Sequence, residues 1–250
     1  MTPCSVNQYK NGGYWTRNPS FHLGDSLFKA GNVVKALQAC DASKGLRICD
    51  IGCGGGGVLH HVCHLLGEQG RDVCVAHGYD ISPEAICLGK RLFPHLQLRA
   101  GSAADVPHGY DVITVLDVLE HLEDYYEFLR AIRHKANLYV FHIPMEMNVL
   151  RILHQLELLE TWNKVGHIHQ FCETTAIGVL NSAGFEVVHQ HWTDVDLQQE
   201  SMAPHRYGHK RRLVNLARKM FFPIAPRFTV ALLGGKSLML VAKDVGDGAT

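Results

Sequence analysis

Five glycines lie within six positions of the segment LRICDIGCGGGGVLHHV, residues 46–62. The apolar run before the glycines predicts a buried strand, and the run after them has the spacing of a helix. A bare backbone between a strand and a helix N-terminus lets a ligand approach closely and presents several backbone N–H groups to it. The segment therefore predicts an α/β domain with a ligand at the first turn of its sheet.

Strand-like and helix-like runs alternate through the rest of the chain. Strands are predicted at 46–51, 73–82, 96–103, 110–122, 137–144, 186–192 and 237–244. Helices are predicted at 58–70, 83–93, 148–166 and 172–185, and the strand in 110–122 runs into a further helix. Strands separated by helices favour a parallel sheet covered on both faces. Residues 197–235 are rich in Pro, Gly and Arg and fit no such unit.

One acidic residue discriminates between two kinds of ligand for the glycine turn. Gly52, Gly54 and Gly57 satisfy the GxGxxG pattern of dinucleotide sites, whereas Gly52, Gly54 and Gly56 satisfy Asp-x-Gly-x-Gly-x-Gly together with Asp50. A carboxylate at this place would repel a pyrophosphate and attract a positively charged ligand. S-adenosylmethionine (SAM) fits, because it carries a sulfonium and an ammonium and no phosphate.

Five motifs together resemble the class I SAM-dependent methyltransferases. They are CDIGCGGGGVL, GYDIS, AGSAADVP, YDVITVLDVLEHLED and SAGFEVV, and they span most of the chain. The resemblance implies one α/β domain with a doubly wound, seven-stranded, mostly parallel sheet whose last strand is antiparallel. The third motif departs from the family pattern, because Ser102 stands where an acid is usual.

The resemblance also implies a set of cofactor-binding residues. Asp50, Gly52 and Gly54 would hold the methionine end of SAM, and Asp80 would bind the ribose hydroxyls. The full set is Asp50, Gly52, Cys53, Gly54, Asp80, Ile81, Ser102, Ala103 and Asp117. Purely structural roles remain open for some of them: a helix cap for Asp50, a turn for Asp80 and Ser102, and core packing for Ile81.

Candidate catalytic residues follow the fourth and fifth predicted strands. Methyl transfer from a sulfonium mainly requires alignment of the nucleophile, but an oxygen nucleophile also needs a base or a metal to remove its proton. Ligands of open parallel sheets lie at the carboxyl ends of the strands. These considerations, with the later motif GHIHQF, give His121, His142 and His167 as candidate bases.

A metal site is the alternative to a histidine base. DVLEHL followed by GHIHQF resembles the E-x-x-E-H arrangement of the ubiquinone-pathway O-methyltransferases and of the small-RNA 2′-O-methyltransferases. The resemblance implies Asp117, Glu120 and His121 as ligands, with His167 or His169 as the fourth, a set that suits Mg²⁺, Mn²⁺ or Fe²⁺. A Glu-His pair at this place also occurs in metal-free members of the superfamily, and a metal-free reaction is the favoured interpretation.

The domain organisation follows from the same resemblance. A lid is expected at 1–43, followed by the methyltransferase domain at 44–250 with insertions at about 145–171 and 197–235. These segments would form the acceptor pocket, with the lid side chains Tyr14, Trp15, Phe21, His22 and Lys29. The favoured function is methylation of a small molecule at oxygen. Methylation of RNA or another macromolecule, N-methylation of a small amine, and non-catalytic SAM binding are the alternatives.

A basic run, HRYGHKRRLVNLARK at 205–219, contains six Lys and Arg residues and no acid. A solvated basic face is the favoured interpretation. Contact with an acidic acceptor, peripheral contact with a membrane through Phe221 and Phe222, and RNA binding are the alternatives. The whole chain has a formal net charge of zero, so overall electrostatics favour no anionic partner.

The cellular setting is predicted from cysteines and hydropathy. The eight cysteines form no CxxC pair, which favours reduced thiols and a cytoplasmic protein. The start MTPCSVNQYKNGGYW has no apolar signal-peptide core, and the sequence has no run of about 18 uncharged apolar residues.

Overall fold

Seven strands form one sheet in the computed structural model, which describes residues 23–40, 45–194 and 209–246. The strands are β1 (Leu46–Ile51), β2 (Val73–Asp80), β3 (Gln97–Ala100), β4 (Tyr110–Leu116), β5 (Ala136–Pro144), β6 (Phe185–Thr193) and β7 (Ser237–Asp244). Their order is β3-β2-β1-β4-β5-β7-β6. The first five strands are parallel, and β7 is antiparallel to both of its neighbours. The predicted seven-stranded fold is confirmed.

Helices cover both faces of this sheet. In the described part of the chain they are α1 (Ser26–Gln38), α2 (Gly57–Glu68), α3 (Pro83–Leu92), α4 (Tyr125–Ile132), α5 (Val149–Leu153), α6 (Gln155–Lys164), α7 (Glu173–Ser182), α8 (His209–Phe221) and α9 (Pro226–Leu233). Apolar residues of α1, α2 and α3 build the core on one face, and those of α4 and α7 build it on the other. No helix among the described residues is both long and apolar enough to cross a membrane.

Local sequence explains where several elements begin and end. Of the six residues of β1, only Arg47 is exposed, as expected for a parallel strand buried on both faces. Ser82 caps α3 by accepting a hydrogen bond from the backbone N–H of Ala85 at 3.2 Å, and Pro83 occupies the first helical position.

Two segments differ from the sequence-based expectation. The helix expected at 148–166 is broken at His154 into α5 and α6. The segment expected to lack regular structure contains α8 and α9, which the turn around Pro223 separates. Of the expected lid, the structure describes α1 and its entry, whereas Tyr14, Trp15, Phe21 and His22 lie outside the described residues.

The strand order reverses between β1 and β4, which are neighbours although β2 and β3 lie between them in sequence. At such a switch point the loops at the carboxyl ends separate and leave a crevice. The glycine turn follows β1 and Asp117 follows β4, so both border this crevice.

Candidate active site

A cavity of about 900 Å³ occupies the crevice at the carboxyl ends of the strands. This volume lies near the top of the range of roughly 300–1,000 Å³ for small-molecule sites. All nine residues predicted to bind the cofactor line it: Asp50, Gly52, Cys53, Gly54, Asp80, Ile81, Ser102, Ala103 and Asp117. The cavity therefore joins residues from four separate motifs.

The glycine turn has a backbone that side chains would disturb. Gly52 has a φ of +78°, and a Cβ placed on it would lie 2.4 Å from Cγ2 of Val118. The backbone N–H groups of Gly52 and Cys53 both donate to the carbonyl oxygen of Tyr79, at 2.8 and 3.1 Å. The turn is thus fixed against the end of β2, with room for a ligand and none for a larger residue.

Asp80 joins the glycine turn to the next helix. Its carboxylate accepts hydrogen bonds from the backbone N–H groups of Gly54 and Ser82, each at 2.8 Å. Burial raises the pKa of Asp80, and these two hydrogen bonds oppose that shift. Asp80 is therefore a turn residue and a wall of the cavity at once, so the two roles considered for it are compatible.

Asp50 is a buried acid at the end of β1. Its carboxylate accepts a hydrogen bond of 2.6 Å from the hydroxyl of Thr114 on the neighbouring strand. Burial, with a smaller contribution from the charge of Asp80, raises the pKa of Asp50 to about 6. A cationic group bound beside it would offset the cost of burying this charge.

Asp117 adopts a left-handed backbone conformation, with a φ of 54°. Its carboxylate contacts Nζ of Lys29 at 2.6 Å and Nδ1 of His142 at 2.5 Å. Burial alone would raise the pKa of Asp117, but the charges and hydrogen bonds of His142 and Lys29 hold it well below its ordinary value. Helix α1 is thereby tied to the end of β4.

His142 does not face the cavity. Both of its ring nitrogens are engaged, Nδ1 with Asp117 and Nε2 with the hydroxyl of Thr193 at 2.8 Å. The side chain is buried and is not among the residues that line the cavity. We therefore treat His142 as a partner that positions Asp117 and no longer as a candidate base.

Three other predicted residues do come together. Glu120, His121 and His167 each offer a ligand atom, and these atoms all lie within 4.8 Å of one another. The cluster forms because the short 3₁₀ helix Leu119–His121 follows β4, and the carbonyl oxygen of Glu120 accepts the backbone N–H groups of Ile168 and His169. Asp117 is not part of the cluster, because Lys29 and His142 occupy its carboxylate. His169 is not part of it either, and its ring packs edge-on against Tyr125.

Glu120 is fully buried, and neither of its carboxylate oxygens has a hydrogen-bond partner among the residues that the structure describes. Burial is the main reason that the pKa of Glu120 rises to about 8, and the negative charge of Asp117 adds to it. Leaving a buried polar group unsatisfied costs roughly 1–3 kcal/mol. Such a group commonly marks a place where a ligand or an ion completes the site.

The protonation of the two imidazoles is set by their partners. Nδ1 of His121 donates to the carbonyl oxygen of Gly166 at 3.0 Å, and Nδ1 of His167 donates to Glu146 at 2.8 Å. In its neutral form, His167 therefore carries its lone pair on Nε2. Burial alone would lower the pKa of His167, but the hydrogen bond to Glu146 and the charge of Glu120 raise it.

Comparison with known proteins assigns the chain to a family. Residues 27–190 match the family model of a methyltransferase domain. The chain belongs to this methyltransferase family. The family uses SAM, which is therefore the methyl donor of this enzyme. Comparison of the sequence with curated proteins gives no match.

Solved structures of methyltransferases have the same fold. The magnesium protoporphyrin IX methyltransferase of Synechocystis PCC 6803, solved with SAH (S-adenosylhomocysteine) bound, is 17% identical, with a TM-score of 0.61 over 95% of this chain and 97% of the other. A putative methyltransferase of Haloferax volcanii, solved with the activator Trm112, is 16% identical, with a TM-score of 0.62 over 92% and 96% of the two chains. A SAM-dependent methyltransferase of Archaeoglobus fulgidus is 17% identical, with a TM-score of 0.57 over 92% and 99%.

The sequence analysis missed two residues of the methyltransferase site. Glu146 holds His167, and Arg151 pairs with Glu146 at 2.8 Å. Burial alone would raise the pKa of Glu146, but His167 and Arg151 together lower it, so Glu146 is ionised beside His167. Glu146 follows the end of β5 in the segment PMEMN, and the strand-end rule that selected His121 could have selected it as well.

Proposed function

We propose that this methyltransferase transfers the methyl group of SAM to a hydroxyl oxygen of a small molecule, with His167 as the general base. The observation that carries the proposal is the arrangement of His167, which is held at Nδ1 by an ionised acid and lies on the wall of the cavity. One structural neighbour acts on a small molecule, magnesium protoporphyrin IX, which supports a small-molecule acceptor but not a particular acceptor atom.

The cofactor is proposed to occupy the side of the cavity formed by the glycine turn. Asp50 pairs with the positively charged methionine end, and Gly52 and Gly54 leave room for it. Asp80 accepts the ribose hydroxyls, for which its carboxylate oxygens have remaining lone pairs. The residues Ile81, Ser102 and Ala103 are assigned to the adenine side.

The reaction is a direct displacement at the methyl carbon. The acceptor hydroxyl gives its proton to Nε2 of His167 while its oxygen forms the new bond to the methyl group. The carbon–sulfur bond breaks, its electron pair stays on sulfur, and SAH leaves as a neutral thioether. Glu146 stabilises the imidazolium, and base catalysis of this kind contributes about 10²–10⁴-fold to the rate.

An uncharged acceptor is favoured over an anionic one. Four basic residues line the cavity, and each already has a partner within the protein. Lys29 pairs with Asp117, Arg151 with Glu146, and Lys236 with Asp194, while Arg218 donates to the carbonyl oxygen of Leu233. The charges of Lys29, Arg151 and Lys236 are thus already balanced by carboxylates, which weakens the attraction of the cavity for a carboxylate, a phosphate or RNA.

The reaction product tests this proposal. The enzyme is incubated with SAM and matched pairs of acceptors in which a phenol or alcohol is replaced by the corresponding amine, and SAH and the methylated product are measured. We expect SAH to form with hydroxyl compounds and the product to be an ether. Methylation of the amine member alone would contradict oxygen as the acceptor atom. Tight SAM binding without SAH, even with a small-molecule extract, would contradict catalysis.

A divalent cation is a second candidate, favoured by the unsatisfied carboxylate of Glu120. The donor set of one carboxylate and two imidazoles suits Mn²⁺ or Fe²⁺. His121 and His167 also hold their Nδ1–H groups on a carbonyl and a carboxylate, as metal-bound histidines usually do. The residues therefore fit a cation, which would lower the pKa of an acceptor hydroxyl.

Mn²⁺ binding to chelator-treated protein tests the cation directly. Because the pKa of Glu120 is about 8, we expect one bound equivalent of Mn²⁺ to release a proton at neutral pH. Glu120→Gln should abolish this binding. Glu123→Gln is the matched control, since Glu123 lines the same cavity but is not in the cluster. Full methyltransferase activity in exhaustively chelated protein that takes up no Mn²⁺ would remove the cation and leave His167 as the base.

A further inference from the structure

Helix α8 buries two polar residues and exposes three large apolar residues in a row along its length. Asn215 and Arg218 are only 1% and 8% exposed, whereas Leu213, Leu216 and Met220 are 69%, 53% and 58% exposed. The spacing of three and four residues places the three apolar side chains in one stripe along the helix. This is the reverse of a helix that packs its apolar face on its own domain.

The buried side of α8 is stabilised by polar contacts. Arg218 donates to the carbonyl oxygen of Leu233 and to Oδ1 of Asn215. The contact with Leu233 attaches α8 to the end of α9 without using the apolar stripe, and the contact with Asn215 lies within α8. The stripe of Leu213, Leu216 and Met220, here called the α8 stripe, therefore remains exposed in the folded structure of the described residues.

Further exposed apolar side chains lie on the helices that pack together with α8. Fourteen of the eighteen large apolar side chains that are exposed in the described part of the chain lie within residues 147–162 and 213–232. Helix α5 packs against α6 and α9, and α9 packs against α8, so these residues belong to one connected cap. Exposed apolar side chains concentrated on one part of a globular protein indicate a candidate interaction site.

The charge of α8 restricts the partner. The helix carries five basic residues and no acid. Arg212 and Lys219 are both exposed and lie two helical turns apart, so they follow the same edge of the α8 stripe. Basic side chains beside an apolar stripe suit an interface between water and anionic lipid, because their stems cover apolar surface while their charges reach the phosphates. A second copy placing its α8 on this helix would set like charges against each other.

We propose that the α8 stripe docks on an anionic lipid surface, with α8 lying in the plane of the headgroups. The cap helices also contribute Arg151, Thr161 and Arg218 to the cavity wall. Docking therefore holds the cavity beside the membrane surface. The proposal concerns where the protein binds and does not depend on the identity of the methyl acceptor.

Flotation of the full-length protein with lipid vesicles tests the proposal. Vesicles of phosphatidylcholine alone are compared with vesicles that also contain phosphatidylserine. We expect binding to the phosphatidylserine vesicles, weakened by added salt. Leu216→Glu/Met220→Glu should abolish the binding. Arg212→Gln/Lys219→Gln should weaken it about 30-fold, since each basic residue near an anionic surface contributes about fivefold.

The control variant is Leu92→Glu/Val188→Glu, which adds the same charge at apolar positions that are exposed away from the cap. It should bind vesicles like the parent. Circular dichroism and melting curves check the fold, and the Arg212/Lys219 variant remains decisive if the Leu216/Met220 variant does not fold. Absence of vesicle binding, or equal binding of the parent and the Arg212/Lys219 variant, would overturn the proposal. A parent dimer that fails to bind vesicles and that Leu216→Glu/Met220→Glu dissociates would instead assign the α8 stripe to a contact between copies.

Discussion

Replacing Gly52 with alanine is expected to remove measurable SAM binding and to lower the free energy of unfolding by about 2–5 kcal/mol. The left-handed backbone of Gly52, with a φ of +78°, costs an L-residue roughly 1–2 kcal/mol. The new Cβ would also lie 2.4 Å from Cγ2 of Val118, and overpacking of this kind costs about 1–3 kcal/mol. Calorimetric titration with SAM and urea denaturation measure the two effects.

Two control variants separate the causes. Gly52→Ala/Val118→Ala removes the steric contact but keeps the strained backbone, so it should recover only part of the lost stability. Gly67→Ala places a methyl group where no atom lies within 4 Å and where φ is not positive, so it should leave SAM binding unchanged. If Gly52→Ala had the same SAM affinity and the same unfolding midpoint as the parent, the turn would not be constrained in this way.

The central strands could be predicted from sequence because they are buried on both faces. The expected strands 46–51 and 237–244 coincide with β1 and β7, where the apolar run is bounded by polar residues or glycine. The expected strand at 110–122 was too long. β4 ends at Leu116, and the next residue, Asp117, has a left-handed backbone and contacts Lys29 and His142, which are distant in sequence. No local pattern encodes that contact.

The cap could not be predicted from its sequence pattern, because α8 does not bury its apolar side as an ordinary amphipathic helix does. Helix α8 buries Asn215 and Arg218 and exposes its leucines. An interpretation that assigns apolar residues to the core predicts the wrong orientation for such a helix. The break at His154 is likewise not marked by Gly or Pro, so the pattern at 148–166 was read as one continuous helix.

The sequence predicted which residues lie near the candidate site, but not the direction in which each side chain points. The motif resemblance supplied the nine residues predicted for the cofactor, and all of them line the cavity. The rule that ligands lie at the carboxyl ends of parallel strands gave His121, which lines the cavity as well. The same rule proposed His142, although its strand neighbours Phe141 and Ile143 belong to the core built around α4 and α7, so that His142 points to the opposite face. Which face a strand-end residue occupies depends on register, and register is a tertiary property.

Replacing His167 with glutamine is expected to lower kcat by about 10²–10⁴-fold, the usual contribution of a general base. SAM affinity should stay within about twofold of the parent, because the cofactor is assigned to the side of the glycine turn. The matched control is His154→Gln, an exposed histidine of the cap whose ring contacts its own helix. If a loss of SAM affinity accounted for the whole loss of activity, His167 would have a role in SAM binding instead.

The pH dependence of methyl transfer tests the role of His167 most directly. A neutral imidazole is the active form, so the rate should rise with pH through the pKa of His167 and then level off. Glu146 raises that pKa above the ordinary value of about 6.5, and the parent's ascending limb should lie correspondingly high. In Glu146→Gln the limb should move to lower pH, and in His167→Gln it should disappear. An ascending limb that is unchanged in both variants would contradict the assignment of His167 as the base.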